Sequence, residues 1–176
     1  MDEIKRISYE RLKEIVADKG FDFDLMFKDY YVTVILYLLK EVEGLHFKGG
    51  TALQKIILDH SRLSEDVDFT ISEDIGQIKE KIMTIIKESG LFEKITKDKD
   101  VEGFTRLVVH YTGFDNKDDI VFIDLNKRAK LLQKPEKHEI KHFYKEDIPS
   151  FSVSTLAKEE MIAEKMAAAI GRNKPR

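Results

Sequence analysis

Two aspartates, Asp66 and Asp68, stand one residue apart in the run Glu65-Asp66-Val67-Asp68-Phe69. In a strand both carboxylates point to one face, about 7 Å apart. Carboxylates converging there repel one another unless a cation lies between them. Hard oxygen ligands that share a site with phosphates suit Mg²⁺ or Mn²⁺. A third carboxylate, Asp124, lies inside the apolar run Val121-Phe122-Ile123-Asp124-Leu125. An acid in such a run is costly unless it faces a metal, a partner or solvent.

The segment Phe47-Lys48-Gly49-Gly50-Thr51-Ala52-Leu53 supplies complementary chemistry. A Gly-Gly turn between a short strand and a helix leaves backbone N–H groups uncovered at a positive helix terminus. Thr51 adds a hydroxyl, and Lys48 and Arg62 add positive charge nearby. Together these residues can cradle a triphosphate while the aspartates hold the metal that bridges it. Each piece alone is common; the reading rests on their combination in this order.

Several elements must position these residues. Apolar spacing predicts a helix over 2–18, ended at Gly20, and a largely buried one over 24–43, closed by Gly44. A short apolar run, 45–47, precedes the glycines, and a helix is expected over 52–58. Residues 67–71 read as a strand and 75–89 as an amphipathic helix stopped by Gly90. The β-rich runs 104–111 and 120–125, separated by Gly113-Phe114-Asp115-Asn116, read as a hairpin. Residues 127–150 look basic and irregular. A last helix is expected from near Ser154, capped by Ser154 or Thr155, with an alanine-rich face over 163–169 suited to close packing and a stop at Gly171. This order of elements argues for an α+β or mixed-sheet α/β fold.

The 176 residues, 42% hydrophobic and 36% charged, suit one domain with a real core. The absence of Cys excludes disulfide scaffolds, thiol catalysis and thiolate zinc sites. The longest apolar stretch, 32–39, is far too short to span a bilayer, and the N-terminus lacks the apolar core of a signal peptide. A soluble, cytoplasmic protein without membrane association is the expectation. Net charge is only −3, yet residues 126–176 hold twelve Lys/Arg against seven Asp/Glu, so the preceding body is acidic. Such a split suits a metal at one end and phosphates at the other.

Two further matches are weighed and set aside. Asp66-Val67-Asp68-Phe69-Thr70 fits the opening of haloacid dehalogenase-type phosphatases, but the residues before it, 60–65, are polar where an apolar strand is required. His138-Glu139-Ile140-Lys141-His142 fits the His-Glu-x-x-His zinc signature, which needs both imidazoles on one helix face; its surroundings are charged and poorly helical.

The glycine segment, with Arg62-Leu63-Ser64-Glu65-Asp66-Val67-Asp68-Phe69, resembles the first motif of the AbiEii/AbiGii toxin-type nucleotidyltransferases. These belong to the DNA polymerase β-like nucleotidyltransferase superfamily. The similarity extends through Lys28-Asp29-Tyr30 and the strand bearing Asp124, and resumes at Leu156-Ala157-Lys158-Glu159-Glu160-Met161-Ile162-Ala163-Glu164-Lys165. It covers most of residues 22–176. The resemblance implies one α+β nucleotidyltransferase-like domain: N-terminal helices to about residue 45, a small mixed sheet over 46–126, and a basic segment with a C-terminal helix over 127–176. It implies metal-dependent transfer of a nucleoside monophosphate from an NTP to an acceptor. Asp66, Asp68 and Asp124 would bind Mg²⁺ or Mn²⁺, with Asp124 orienting or deprotonating the attacking group. Gly49, Gly50 and Thr51 would hold the β- and γ-phosphates, Lys165 would neutralise triphosphate charge, and Arg62 and Ser64 would position the loop or a phosphate. The family further implies a toxin with a cognate antitoxin, acting on RNA such as tRNA or on a protein. The basic stretch Lys127, Arg128, Lys130, Lys134, Lys137 and Lys141 is the expected acceptor surface. Family members continue beyond a stretch like Lys174-Pro175-Arg176 into a further acidic motif, so a core ending one motif early is expected. A nucleotide- or RNA-binding module without turnover is the alternative.

Overall fold

The computed structural model describes residues 4–127 and 131–172. Arg128, Lys130 and the Lys174-Pro175-Arg176 stretch lie outside them. Helix α1 spans Tyr9–Lys19, later than the apolar spacing predicts, because Ser8 caps it by accepting a bond from the Arg11 N–H. Gly20, at φ +74°, ends it. Helix α2, Phe23–Leu39, is capped by Asp22 and buries eleven of its 17 residues, as expected of a helix apolar on nearly all sides. Strand β1, Leu45–Lys48, leads directly into α3, Gly49–Ile56, so this helix begins on the two glycines and not after them.

Strand β2 is Asp66–Ile71, and helix α4, Ile75–Glu88, buries Ile78, Ile82 and Ile86 at helical spacing. Strands β3, Lys94–Val101, β4, Phe104–Thr112, and β5, Asp118–Lys127, form a meander. Strands β6, Glu136–Glu139, and β7, Ser152–Thr155, precede α5, Lys158–Arg172. Ser154 and Thr155 therefore belong to a strand and are not helix caps. Ser154 is tied there by the His46 ring, 2.8 Å from its hydroxyl. The alanines of α5 also depart from expectation: Ala163, Ala167, Ala168 and Ala169 are exposed, as are Ile162, Met166 and Ile170.

The seven strands form one mixed sheet in the order β3-β4-β5-β2-β1-β7-β6. The pairs β2/β5 and β1/β7 are parallel, and the other neighbours are antiparallel. Val67, Phe69 and Ile71 of β2 and Val121, Ile123 and Leu125 of β5 are buried in the core shared with α2 and α4. Side chains alternate across a strand, so the even-numbered residues of β2 and β5 occupy the opposite face. This is the expected α+β architecture, and no helix among the described residues is long and apolar enough to cross a membrane.

Candidate active site

The even face carries one row of charge across four strands. Lys48 on β1 is registered with Asp68 on β2, Asp68 with Asp124 on β5, and Asp124 with Arg106 on β4. Neighbouring strands lie about 4.8 Å apart, so the row reads cation, anion, anion, cation over about 14 Å. Asp66 lies two residues from Asp68 on the same face, beside Phe122. The three aspartates expected from the sequence therefore share one face of two adjacent strands.

Their environments differ. Among the described residues, neither the Asp66 nor the Asp68 side chain has a hydrogen-bond or ion-pair partner. Burial pushes both carboxyls above the usual range, and the charge of Asp124 pushes them further; Lys48 opposes this at Asp68. Asp124 is held on both oxygens by Arg106: Nε donates to Oδ1 and Nη2 to Oδ2, each at 2.7 Å. The guanidinium also lies 4.7 Å from the centroid of the Phe122 ring. No group of three or more His, Cys, Asp or Glu among the described residues is gathered closely enough to hold a metal ion by itself.

The second half of the site is the start of α3. Lys48, its N-cap residue, provides no side-chain cap, so the first N–H groups of the helix are not capped from within. Gly49 has φ +81°, and a Cβ there would overlap Asp68 Oδ2. The missing side chain lets the Asp68 carboxylate and the glycine turn approach closely. A Cβ on Gly50 would lie 3.2 Å from Arg62 Nη2 and 3.9 Å from Lys165 Nζ. Two cations from distant parts of the chain thus converge on one helix N-terminus, and neither has an ion-pair partner among the described residues.

Thr51 has a different task. Its hydroxyl donates to the Asp66 carbonyl oxygen at 2.5 Å, fastening α3 to β2. Ser64 Oγ is buried with no hydrogen-bond partner among the described residues. Arg62 is positioned by Gln54, whose Oε1 accepts from the Arg62 N–H at 3.3 Å and from Ser61 Oγ at 2.9 Å. A cleft of about 230 Å³ joins Lys48, Gly49, Gly50, Asp68 and Lys165 to Asn126, Met161 and Glu164. Lys48 Nζ sits 3.4 Å from Glu164 Oε2.

Sequence reasoning missed Arg106, Gln54, Asn126 and Glu164. Strand parity after Asp124 signals Asn126, and helical spacing near Lys165 signals Glu164, whereas nothing local marks Arg106 or Gln54. The His-Glu-x-x-His match dissolves, because His138 and Glu139 lie in β6. His138 Nδ1 sits 2.8 Å from Thr155 Oγ1, and His142 is buried, accepting from the Tyr144 N–H. The basic stretch is dispersed as well: Lys127 ends β5, whereas Lys137 lies in β6, four strands away or about 19 Å. Lys141 is paired with Asp59 at 3.3 Å.

The family model described as nucleotidyl transferase AbiEii toxin, type IV TA system, matches residues 36–176. No curated protein matches the chain. Among solved structures, it is similar to MenT4, a nucleotidyltransferase toxin from Mycobacterium tuberculosis H37Rv, with 21% identity and a TM-score of 0.73 over 93% of this chain and 59% of that one. It is also similar to JHP933 from Helicobacter pylori, with 18% identity and a TM-score of 0.64 over 89% of this chain and 62% of that one. The chain spans about three-fifths of the length of these two structures. At such identities the likeness is one of fold.

Proposed function

The chain belongs to the AbiEii nucleotidyltransferase toxin family, and on that premise we propose that its site transfers a nucleoside monophosphate from an NTP to an acceptor hydroxyl, releasing pyrophosphate. The observation that carries this reading is the juxtaposition of two carboxylates, Asp66 and Asp68, that have no partner among the described residues, with a glycine helix start flanked by Arg62 and Lys165. A nucleoside triphosphate with a divalent cation matches both halves at once.

The donor set fits such a cation. Asp66 and Asp68 offer hard oxygens on one face, and the absent side chain of Gly49 keeps the space beside Asp68 open. Mg²⁺ or Mn²⁺ held by these two would neutralise charge on the phosphates and on the departing pyrophosphate. The chain's own groups do the positioning. The uncapped N–H groups of α3 bind phosphate oxygens along the helix dipole. Arg62 and Lys165 add cationic contacts, the planar guanidinium suited to paired donation and the ammonium acting as a point charge. Asp124 lies beside Asp68, where a carboxylate can orient the attacking hydroxyl or accept its proton.

The acceptor in this reading is RNA, such as tRNA, and the family context adds a cognate antitoxin and a cytoplasmic location. The test incubates the protein with each α-labelled NTP, Mg²⁺ or Mn²⁺, and total RNA, beside an Asp66→Ala/Asp68→Ala variant. Label should pass to RNA and be lost in the variant. Label on protein would move the acceptor class, metal-dependent NTP binding without transfer would reduce the protein to a binding module, and transfer surviving in the variant would overturn the site.

A further inference from the structure

The pairing of Asp124 with Arg106 distinguishes this third carboxylate from the two beside it. Arg106 engages both oxygens at 2.7 Å, and its cationic plane rests against the Phe122 ring. Asp124 is well covered, whereas Arg106 remains about one-third exposed. Charge-assisted bidentate pairing is among the strongest hydrogen-bonding arrangements in proteins, and it fixes the plane of the carboxylate. Each Asp124 oxygen still has a free lone pair, but its charge is already compensated. With Arg106 in place the three carboxylates carry a net charge of −2, and the full negative density is confined to Asp66 and Asp68.

Resting on the transferase reading, we propose that Arg106 is a positioning residue that occupies Asp124, so that the bare protein holds a divalent cation only weakly through Asp66 and Asp68 and tight binding requires the triphosphate. The guanidinium serves as a resident counter-cation. It keeps three neighbouring carboxylates compatible with folding while leaving the site short of ligands until the nucleotide supplies phosphate oxygens. Arg106 sits at the outer end of the row, on the opposite side of the aspartates from Lys48. It can therefore act on Asp124 without standing between Asp68 and the glycine turn.

The test is a Mn²⁺ titration followed by the electron paramagnetic resonance signal of the free ion, without nucleotide, on the whole chain. Arg106→Gln should bind Mn²⁺ at least about tenfold more tightly than the parent, because a charge-assisted pair no longer competes for Asp124. Adding Asp124→Asn to that variant should cancel the gain, whereas Asp124→Asn in the parent should change affinity less than about threefold. Adding a non-hydrolysable NTP analogue should tighten Mn²⁺ binding to the parent more than to Arg106→Gln. Arg106→Lys keeps the charge but loses the fork, so its gain should be smaller than that of Arg106→Gln. Thermal unfolding confirms that each variant is folded, and Arg106→Lys carries the test if Arg106→Gln does not fold. An unchanged affinity in the folded Arg106 variants overturns the proposal, as does Asp124→Asn in the parent weakening Mn²⁺ binding as much as Asp68→Asn. Asp66→Asn and Asp68→Asn are the control: if neither weakens Mn²⁺ binding, the transferase site falls and this inference with it. If both do and Arg106→Gln does not tighten it, only the role of Arg106 falls.

Discussion

At Gly49 the backbone and the chemistry make the same demand. Its φ of +81° is a region L side chains rarely adopt, and an added Cβ would displace the Asp68 carboxylate. Gly49→Ala should therefore destabilise the protein by about 1–2 kcal/mol from the left-handed backbone alone. It should also lose more activity than Gly50→Ala, whose Cβ meets only the flexible ends of Arg62 and Lys165. Paired thermal melts and turnover rates check this. Asp68 itself should behave as a residue held against stability. Its carboxyl is pushed up first by burial and then by Asp124, so its relative contribution is favourable below the ordinary value of 3.8 and is lost as pH rises through the folded value. Asp68→Asn should accordingly raise the stability of the metal-free protein at pH 7, by about 1 kcal/mol, and leave it unchanged near pH 3. Both residues were legible in the sequence because glycine pairs and Asp-x-Asp are local patterns. Arg106 was not, since its partner lies 18 residues away and only strand register brings them together.

Among the elements, α3 shows how a short helix serves a site. Gln54, buried in its second turn, accepts from Ser61 and from the Arg62 N–H, so the helix that presents the glycine amides also fixes the loop that delivers the guanidinium. Gln54→Ala should cost about 1 kcal/mol of stability and raise the KM for NTP while largely sparing kcat. Steady-state kinetics with a thermal melt separates this from general unfolding. The strands missed in the sequence were hidden by charge or by shortness. Strand β3 is an edge strand bearing Lys94, Lys97, Asp98, Lys99 and Asp100, and charge at an edge blocks further pairing while erasing the apolar alternation that marks a strand. Strands β6 and β7 are only four residues long, too short for period to show. Where burial was one-sided and long, as in α4, β4 and β5, the pattern gave the element to within a few residues.

Over the whole molecule, a buried ion pair ties the site to the opposite layer. Lys55 of α3 and Asp29 of α2 meet at 2.8 Å with both side chains 1% exposed. Thr33 accepts from Lys55, and the Tyr144 hydroxyl donates to Asp29. Asp29→Asn leaves a buried cation uncompensated and should cost about 3–5 kcal/mol in denaturant unfolding, far more than Tyr144→Phe.

Beside this pair lie His60 and His142, each lowered by burial to about 4, with the Lys55 charge acting in the same direction. The unfolded chain protonates both near 6.5, so their contribution is fully present above that pH and is lost as pH falls towards 4. Unfolding free energy should therefore fall between pH 6.5 and 4, with a limiting slope of about 2.7 kcal/mol per pH unit for two excluded protons. Asp66 and Asp68 work in the opposite sense, because their raised carboxyls take up protons in the native state before the unfolded one does. An Asp66→Asn/Asp68→Asn variant should thus lose stability more steeply over the acid end of that range than the parent. Replacing both histidines by Gln should flatten the slope in either background. Denaturant titrations at half-unit pH intervals measure the slopes directly. A parent curve as flat as that of the histidine variant would show that the two imidazoles are not excluded from protonation by the fold.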